Sequence, residues 1–116
     1  MSILTMLVPV KNKPAVQVQV LYQDIDEYGW TNGGIAFYLD PNDPDSLVEY
    51  SFEAKVYNVG SKCGINNGKI SKLHITNVAT NNEIICYERG WGYHARESTD
   101  PGVDIALNAV LMAFNN

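Results

Sequence analysis

The chain has 116 residues, a formal net charge of −5, 46% hydrophobic residues and 10% aromatics. That describes one globular domain, 1–116, able to bury a core without disulfide or metal staples, and it excludes a disordered chain. No window approaches the ~18 consecutive apolar residues of a membrane span, so a cytoplasmic protein is expected.

The N-terminal MSILTMLVPV is apolar but short. No positive charge precedes it and Lys11 follows it, so it reads as an edge or core strand and not as a signal peptide. Ala15–Tyr22, AVQVQVLY, alternates apolar and polar residues with the period of a half-buried strand. Gly29–Gly34 reads as turn material and Ile35–Leu39 as the next strand. PNDP at 41–44 is a loop, and Val48–Tyr57 is a third alternating segment. Residues 58–68 are rich in Gly, Asn and Ser and read as a long turn. Ile70–Val78 and Ile84–Tyr87 follow as strands, with ATNNE between them.

The tail carries the clearest periodicity. Val103, Ala106, Leu107, Val110, Leu111 and Phe114 recur at the spacing of an amphipathic helix, centred on Leu107 and Leu111. Asp100 and Pro101 supply an expected N-cap and first-turn proline. Strands followed by one packed helix predict an α+β fold, an antiparallel sheet of five to six strands. Shifting the chain by 35 residues aligns Tyr22 with Tyr57, Asn32-Gly33 with Asn67-Gly68, and Ile35 with Ile70. Two related hairpins with the same Asn-Gly turn would give this pattern, and so would convergent turn chemistry.

Charge is unevenly placed. Residues 1–50 carry the whole formal net charge, and no Lys or Arg occurs from Pro14 to Ala54. Asp24, Asp26, Glu27, Asp40, Asp43 and Asp45 are therefore the candidate partner-binding residues of an acidic side, which would attract a basic partner and repel nucleic acid. Ordinary solvated loop carboxylates are the alternative.

YERGWGYHAR, 87–96, concentrates both arginines of the chain with a tryptophan, two tyrosines and a histidine. Arg89, Trp91, Tyr93, His94 and Arg96 are the residue types of a binding surface or of a clamp for a phosphate and a base. In the structural alternative Trp91 is buried at the join of sheet and helix, while Arg89 and Arg96 stay partly exposed. His74 and His94 have no partners at metal-ligand spacing. Cys63 and Cys86 are two small reduced thiols or one disulfide. No catalytic residues, metal or cofactor are predicted, and the chain reads as a non-enzyme.

The runs GINNGKISKLHI and CYERGWGYHAREST resemble a small uncharacterised phage and Firmicute family with NGGRISKL and YDRGW motifs, matched over about residues 52–114. The matching residues include Gly64, Gly68, Ile70, Leu73, Tyr87 and Trp91; Lys69 and Glu88 depart from the pattern. The resemblance implies an α+β mini-domain in a mobile-element setting, acting in the host cell, and it brings no active site. Two functions follow as expectations. One is a phage accessory protein that binds and inhibits a host protein, such as a nucleic-acid-binding CRISPR effector, without touching nucleic acid or membrane itself. The other is a protein that sequesters a nucleotide signal through the Arg89–Arg96 cluster. Exposed sheet edges also allow a homodimer.

Overall fold

A computed structural model describes residues 1–91 and 99–115. Six strands form one antiparallel sheet in the order of the chain: β1 (Ser2–Val10), β2 (Lys13–Tyr22), β3 (Trp30–Tyr38), β4 (Leu47–Val56), β5 (Ile70–Asn77) and β6 (Asn82–Glu88). Among the described residues one α-helix, α1 (Val103–Phe114), follows and packs against β1, β2, β5 and β6. The architecture is the expected α+β one.

Alternation places the core. Val18 and Val20 on β2, Phe37 on β3, Phe52 on β4 and Leu73 and Ile75 on β5 are all buried under the helix, whereas their strand neighbours are not. Each such side chain contributes about 1.5–3 kcal/mol by leaving water. On the helix the fully buried residues are Ala106, Ala109 and Val110; Leu107 and Leu111 are only partly buried. The helix is thus rotated from the expected centre, because two alanines let its backbone lie closer to the sheet than two leucines would. Phe114 closes the far end, 5.2 Å from the Tyr22 ring and 5.9 Å from Phe52.

Both helix ends are fastened by side chains from just outside the helix. The N-cap residue is Gly102, not Asp100, and makes no side-chain cap bond. Asp100 sits two residues earlier, where its carboxylate accepts from Tyr50 Oη (2.7 Å), Asn77 Nδ2 (2.8 Å) and Gly102 N (2.9 Å), tying the helix start to β4 and β5. A side chain at Gly102 would collide with the Tyr50 hydroxyl, so glycine is needed there for close approach. At the other end, Asn115 Oδ1 accepts from Ile70 N (2.9 Å) and its Nδ2 donates to Ile65 O (2.8 Å).

The segment expected as a turn, Gly29–Gly34, belongs mostly to β3, which begins at Trp30. Asn32 and Gly33 lie within the strand opposite Glu53 and Phe52, whereas Asn66 and Asn67 turn with positive φ before β5. The two Asn-Gly steps therefore do different work. Gly33 is required by packing, since a Cβ there would run into the Leu21 carbonyl of β2.

Candidate functional site: the open face of the sheet

Only one face of the sheet is covered by α1. The opposite face presents the polar half of each alternating strand, and antiparallel register lines these residues up in rows. Trp30 pairs with Lys55, Lys55 with Lys72, and Lys72 with Glu88, making one row across four strands, roughly 14 Å wide. The adjacent row is Asn32, Glu53, His74 and Cys86.

The first row is cationic and aromatic. Lys55 Nζ lies 5.8 Å from the Trp30 ring centre and 5.7 Å from that of Tyr57, and Lys72 Nζ lies 6.0 Å from Trp30. These are cation–π distances, each worth about 0.5–1 kcal/mol at an exposed site. Hydrogen bonds from Ser71 and Arg89, with the charge of Lys55, draw the Tyr57 hydroxyl below its usual range. Arg89 therefore joins the row. Its φ is 63°, a left-handed value uncommon outside Gly and Asn, and its N–H donates to Ser71 O at 2.8 Å. That turn folds the chain back so that Trp91 bridges to Tyr87, ring edge to face at 5.0 Å.

Trp91 is 40% exposed, which corrects the expectation of a buried core cap. It packs against the buried Tyr87 ring and leaves the rest in solvent, because the turn at Arg89 and Gly90 carries it past the end of β6. Tyr93, His94 and Arg96 lie outside the described residues.

The second row holds a donor cluster. His74 Nδ1 is 3.0 Å from Glu83 Oε2, and Nε2 is 2.9 Å from Glu88 Oε1. Partial burial alone would lower the His74 pKa; the two carboxylates outweigh it through hydrogen bonds and charge and raise it. Cys86 sits across from His74, and its thiol is pushed up by burial and by the Glu83 and Glu88 charges. Cys63 and Cys86 are both free thiols. The cluster adjoins a shallow depression of about 460 Å³, lined among others by Asn32, Ser51, Glu53, Thr76 and Glu83.

The spacing of the histidines gave no sign of this cluster, since its partners arrive across strands. Cys86 and Glu88 share a face by simple alternation. Glu83 does not: three residues from Cys86, it belongs on the other face of a regular strand. Ile75 pairs with Ile85 but Thr76 pairs with Glu83, so Ile84 is an extra residue, and this bulge returns Glu83 to the face of His74.

The six predicted acids do not form one surface. Asp24, Asp26 and Glu27 lie in the β2–β3 connection; Asp40, Asp43 and Asp45 lie in the β3–β4 connection or its 3₁₀ turn. Those connections are at opposite ends of β3, roughly 27 Å apart. Several are occupied with the turns themselves. Asp26 accepts from Tyr28 N (2.8 Å) and Trp30 N (2.9 Å), Asp40 from Asn42 N (2.9 Å) and Asp43 from Asp45 N (2.9 Å).

The fold and its open face define a class: a small α+β domain with a six-stranded meander, one covering helix and a polar, aromatic-bearing surface. A family model described as a domain of unknown function, DUF7678, matches residues 29–115, and the chain belongs to that family. The match covers β3 to β6 and α1, and so begins well before the expected start near residue 52; β1 and β2 precede it. No curated protein and no solved structure matches the chain. Among the described residues, no helix is long and apolar enough to cross a membrane.

Proposed function

We propose that the protein is a non-catalytic binding protein that grips a protein partner with one end of its open sheet face. The observation that carries this is the convergence of Lys55, Lys72 and Arg89 on Trp30 and Tyr57. Tryptophan, tyrosine and arginine dominate binding hot spots because they offer large contact and directed hydrogen bonds at low entropic cost. Asp24 and Glu27, in the connection leading into Trp30, supply the acidic rim at the same end of the sheet. The narrower form of the proposal is a phage or mobile-element protein acting in the host cell against a defence factor. With the acids divided between two ends, that form rests on the mixed patch and not on a continuous acidic face. The test is capture from host lysate by wild type, by a Trp30→Ala/Lys55→Glu variant, and by an Asp40→Asn/Asp45→Asn variant altered at the far end. A partner held by wild type and the far-end variant but lost from the first supports the reading. Equal retention by all three overturns it.

The same cations favour a second reading, sequestration of a nucleotide whose base stacks on Trp30 and whose phosphate meets Lys55, Lys72 and Arg89. Calorimetry with nucleotides separates the two: micromolar binding lost in Lys72→Glu supports it, and no heat at millimolar ligand ends it.

A homodimer is also proposed, through the edge strand β1. Its exposed Ile3 and Leu7 carry no charge, and among the described residues no strand neighbours its outer backbone edge. If two copies pair antiparallel, Lys11 and Lys13 at one end of the hairpin meet Asp24 at the other end of the second copy; a parallel pairing would set like charges together. Sedimentation of wild type as a dimer and Leu7→Lys as a folded monomer would bear this out, and a monomeric wild type at high micromolar concentration would refute it.

A further inference from the structure

We propose that His74, Glu83 and Cys86 form a binding site for a borderline divalent transition ion of the Zn²⁺ class, with Glu88 orienting the histidine. The argument begins with the imidazole. A neutral ring has one N–H and one lone pair. Nε2 faces Glu88 and Nδ1 faces Glu83, at 2.9 and 3.0 Å, and ionised carboxylates only accept. If Nε2 donates to Glu88, the Nδ1 lone pair points at another acceptor. Such a contact calls for a cation between the two atoms, either a second proton on the ring or a metal ion.

The surroundings are arranged for the metal. The ligating atoms of His74, Glu83 and Cys86 lie within 4.8 Å of one another. Tetrahedral zinc at its usual bond lengths holds ligand atoms about 3.3–3.8 Å apart, so a closure of roughly 1 Å completes the triangle. Glu83 already lies 3.0 Å from Nδ1 and hydrogen-bonds the Cys86 thiol, so that closure falls to the His74 and Cys86 side chains, cross-strand partners on β5 and β6. Nε2–H donating to Glu88 reproduces the carboxylate–histidine–metal relay that fixes the tautomer and raises ligand basicity. One nitrogen, one oxygen and one sulfur donor suit Zn²⁺ or Co²⁺ and not the oxygen-seeking Mg²⁺ or Ca²⁺. Glu53, the cross-strand neighbour of His74, adds negative charge beside the site. Three protein ligands leave a fourth position toward the shallow depression for water or a partner's donor. Binding would exchange protons for the ion: the Cys86 thiol gives up its proton to become the thiolate ligand, and the His74–Glu83 pair gives up any proton it shares.

The inference stands apart from the choice of partner and is tested on the full chain, tag-free and reduced, by titration with Co²⁺. The expected result is one equivalent bound with a near-ultraviolet thiolate-to-cobalt band and the visible bands of a four-coordinate ion. Cys86→Ser should abolish the thiolate band and His74→Gln should weaken binding at least ~10-fold. Glu88→Gln should keep the band with affinity reduced ~10–100-fold, as a positioning residue would. Cys63→Ser should change nothing. Circular dichroism establishes that each variant is folded. Binding no tighter than about millimolar, or a thiolate band that survives Cys86→Ser, would overturn the site.

Discussion

On β3, Phe37 and Tyr38 are consecutive aromatic residues, 2% and 45% exposed. One belongs to the covered face of the sheet and the other to the open face. The covered face is apolar and closed by a helix fastened at both ends, so its residues answer to packing. The open face is built by the same strands from the alternate positions, but its residues answer to each other: lysines over rings, a histidine between glutamates. The covered face holds the fold. The open face is free to vary in chemistry, which is why the binding and metal proposals both fall there.

The largest expected effect lies on the covered side. Phe37→Ala removes a ring stacked on Tyr50 at 5.8 Å and should cost about 3–5 kcal/mol, a large share of the stability of a domain this size. Tyr38→Ala should stay within about 0.5 kcal/mol. Urea unfolding of the pair measures the contrast between the faces directly. Equal losses would mean that a partner or second copy covers the open face in solution.

A middle-sized effect belongs to Asp100, at the join between helix and sheet. Burial alone would raise its pKa, but the donors Tyr50, Asn77 and Gly102 outweigh this and hold it below the ordinary carboxylate range. A carboxyl with a depressed folded pKa adds stability that is complete above its unfolded value, about 3.9, and is lost as pH falls through the folded value. Tyr50, pushed above its usual range by burial and by Asp100, remains a neutral donor throughout that window. Asp100→Asn should therefore cost about 1–3 kcal/mol at neutral pH, and the gap to wild type should narrow below pH ~4. A gap that is constant down to pH ~2.5 would show that Asp100 contributes no charge-dependent anchoring.

Much of the covered face was legible in the sequence because alternation and helical period are direct consequences of burial. Val18, Val20, Phe52 and Ile75 announce themselves that way. The helix rotation was not, since Ala106 and Ala109 matter by being small, and a hydrophobic stripe weighs Leu107 more heavily. The sequence points to a shorter β3, because Gly33-Gly34 has the composition of a turn; its register with β4 and the close approach to Leu21 make it strand. The open-face cluster was hidden by the single extra residue Ile84, which no alternation pattern discloses. The acids misled for a topological reason: successive connections of a meander fall at opposite ends, so closeness in sequence there means separation in space.

The smallest expected effect separates strain from function at Arg89. A non-glycine residue in the left-handed region costs about 1–2 kcal/mol, and the nearest structural return is a solvent-screened surface hydrogen bond with Tyr57. Glycine relieves the strain but brings its own entropic cost. Arg89→Gly should therefore raise stability, by up to about 1 kcal/mol. Arg89→Ala keeps the strained backbone and loses the hydrogen bond, so it should fall slightly below wild type. Both variants lack the guanidinium, and both should lose the partner if that group anchors it. Stability and capture thus move apart in Arg89→Gly and together in Arg89→Ala. Urea midpoints and lysate capture on the two proteins give four readings. Should Arg89→Gly be no more stable than Arg89→Ala, the φ of 63° is not a strained state. Should Arg89→Gly hold its partner as wild type does, the arginine is retained for some purpose other than the patch it shares with Trp30 and Tyr57.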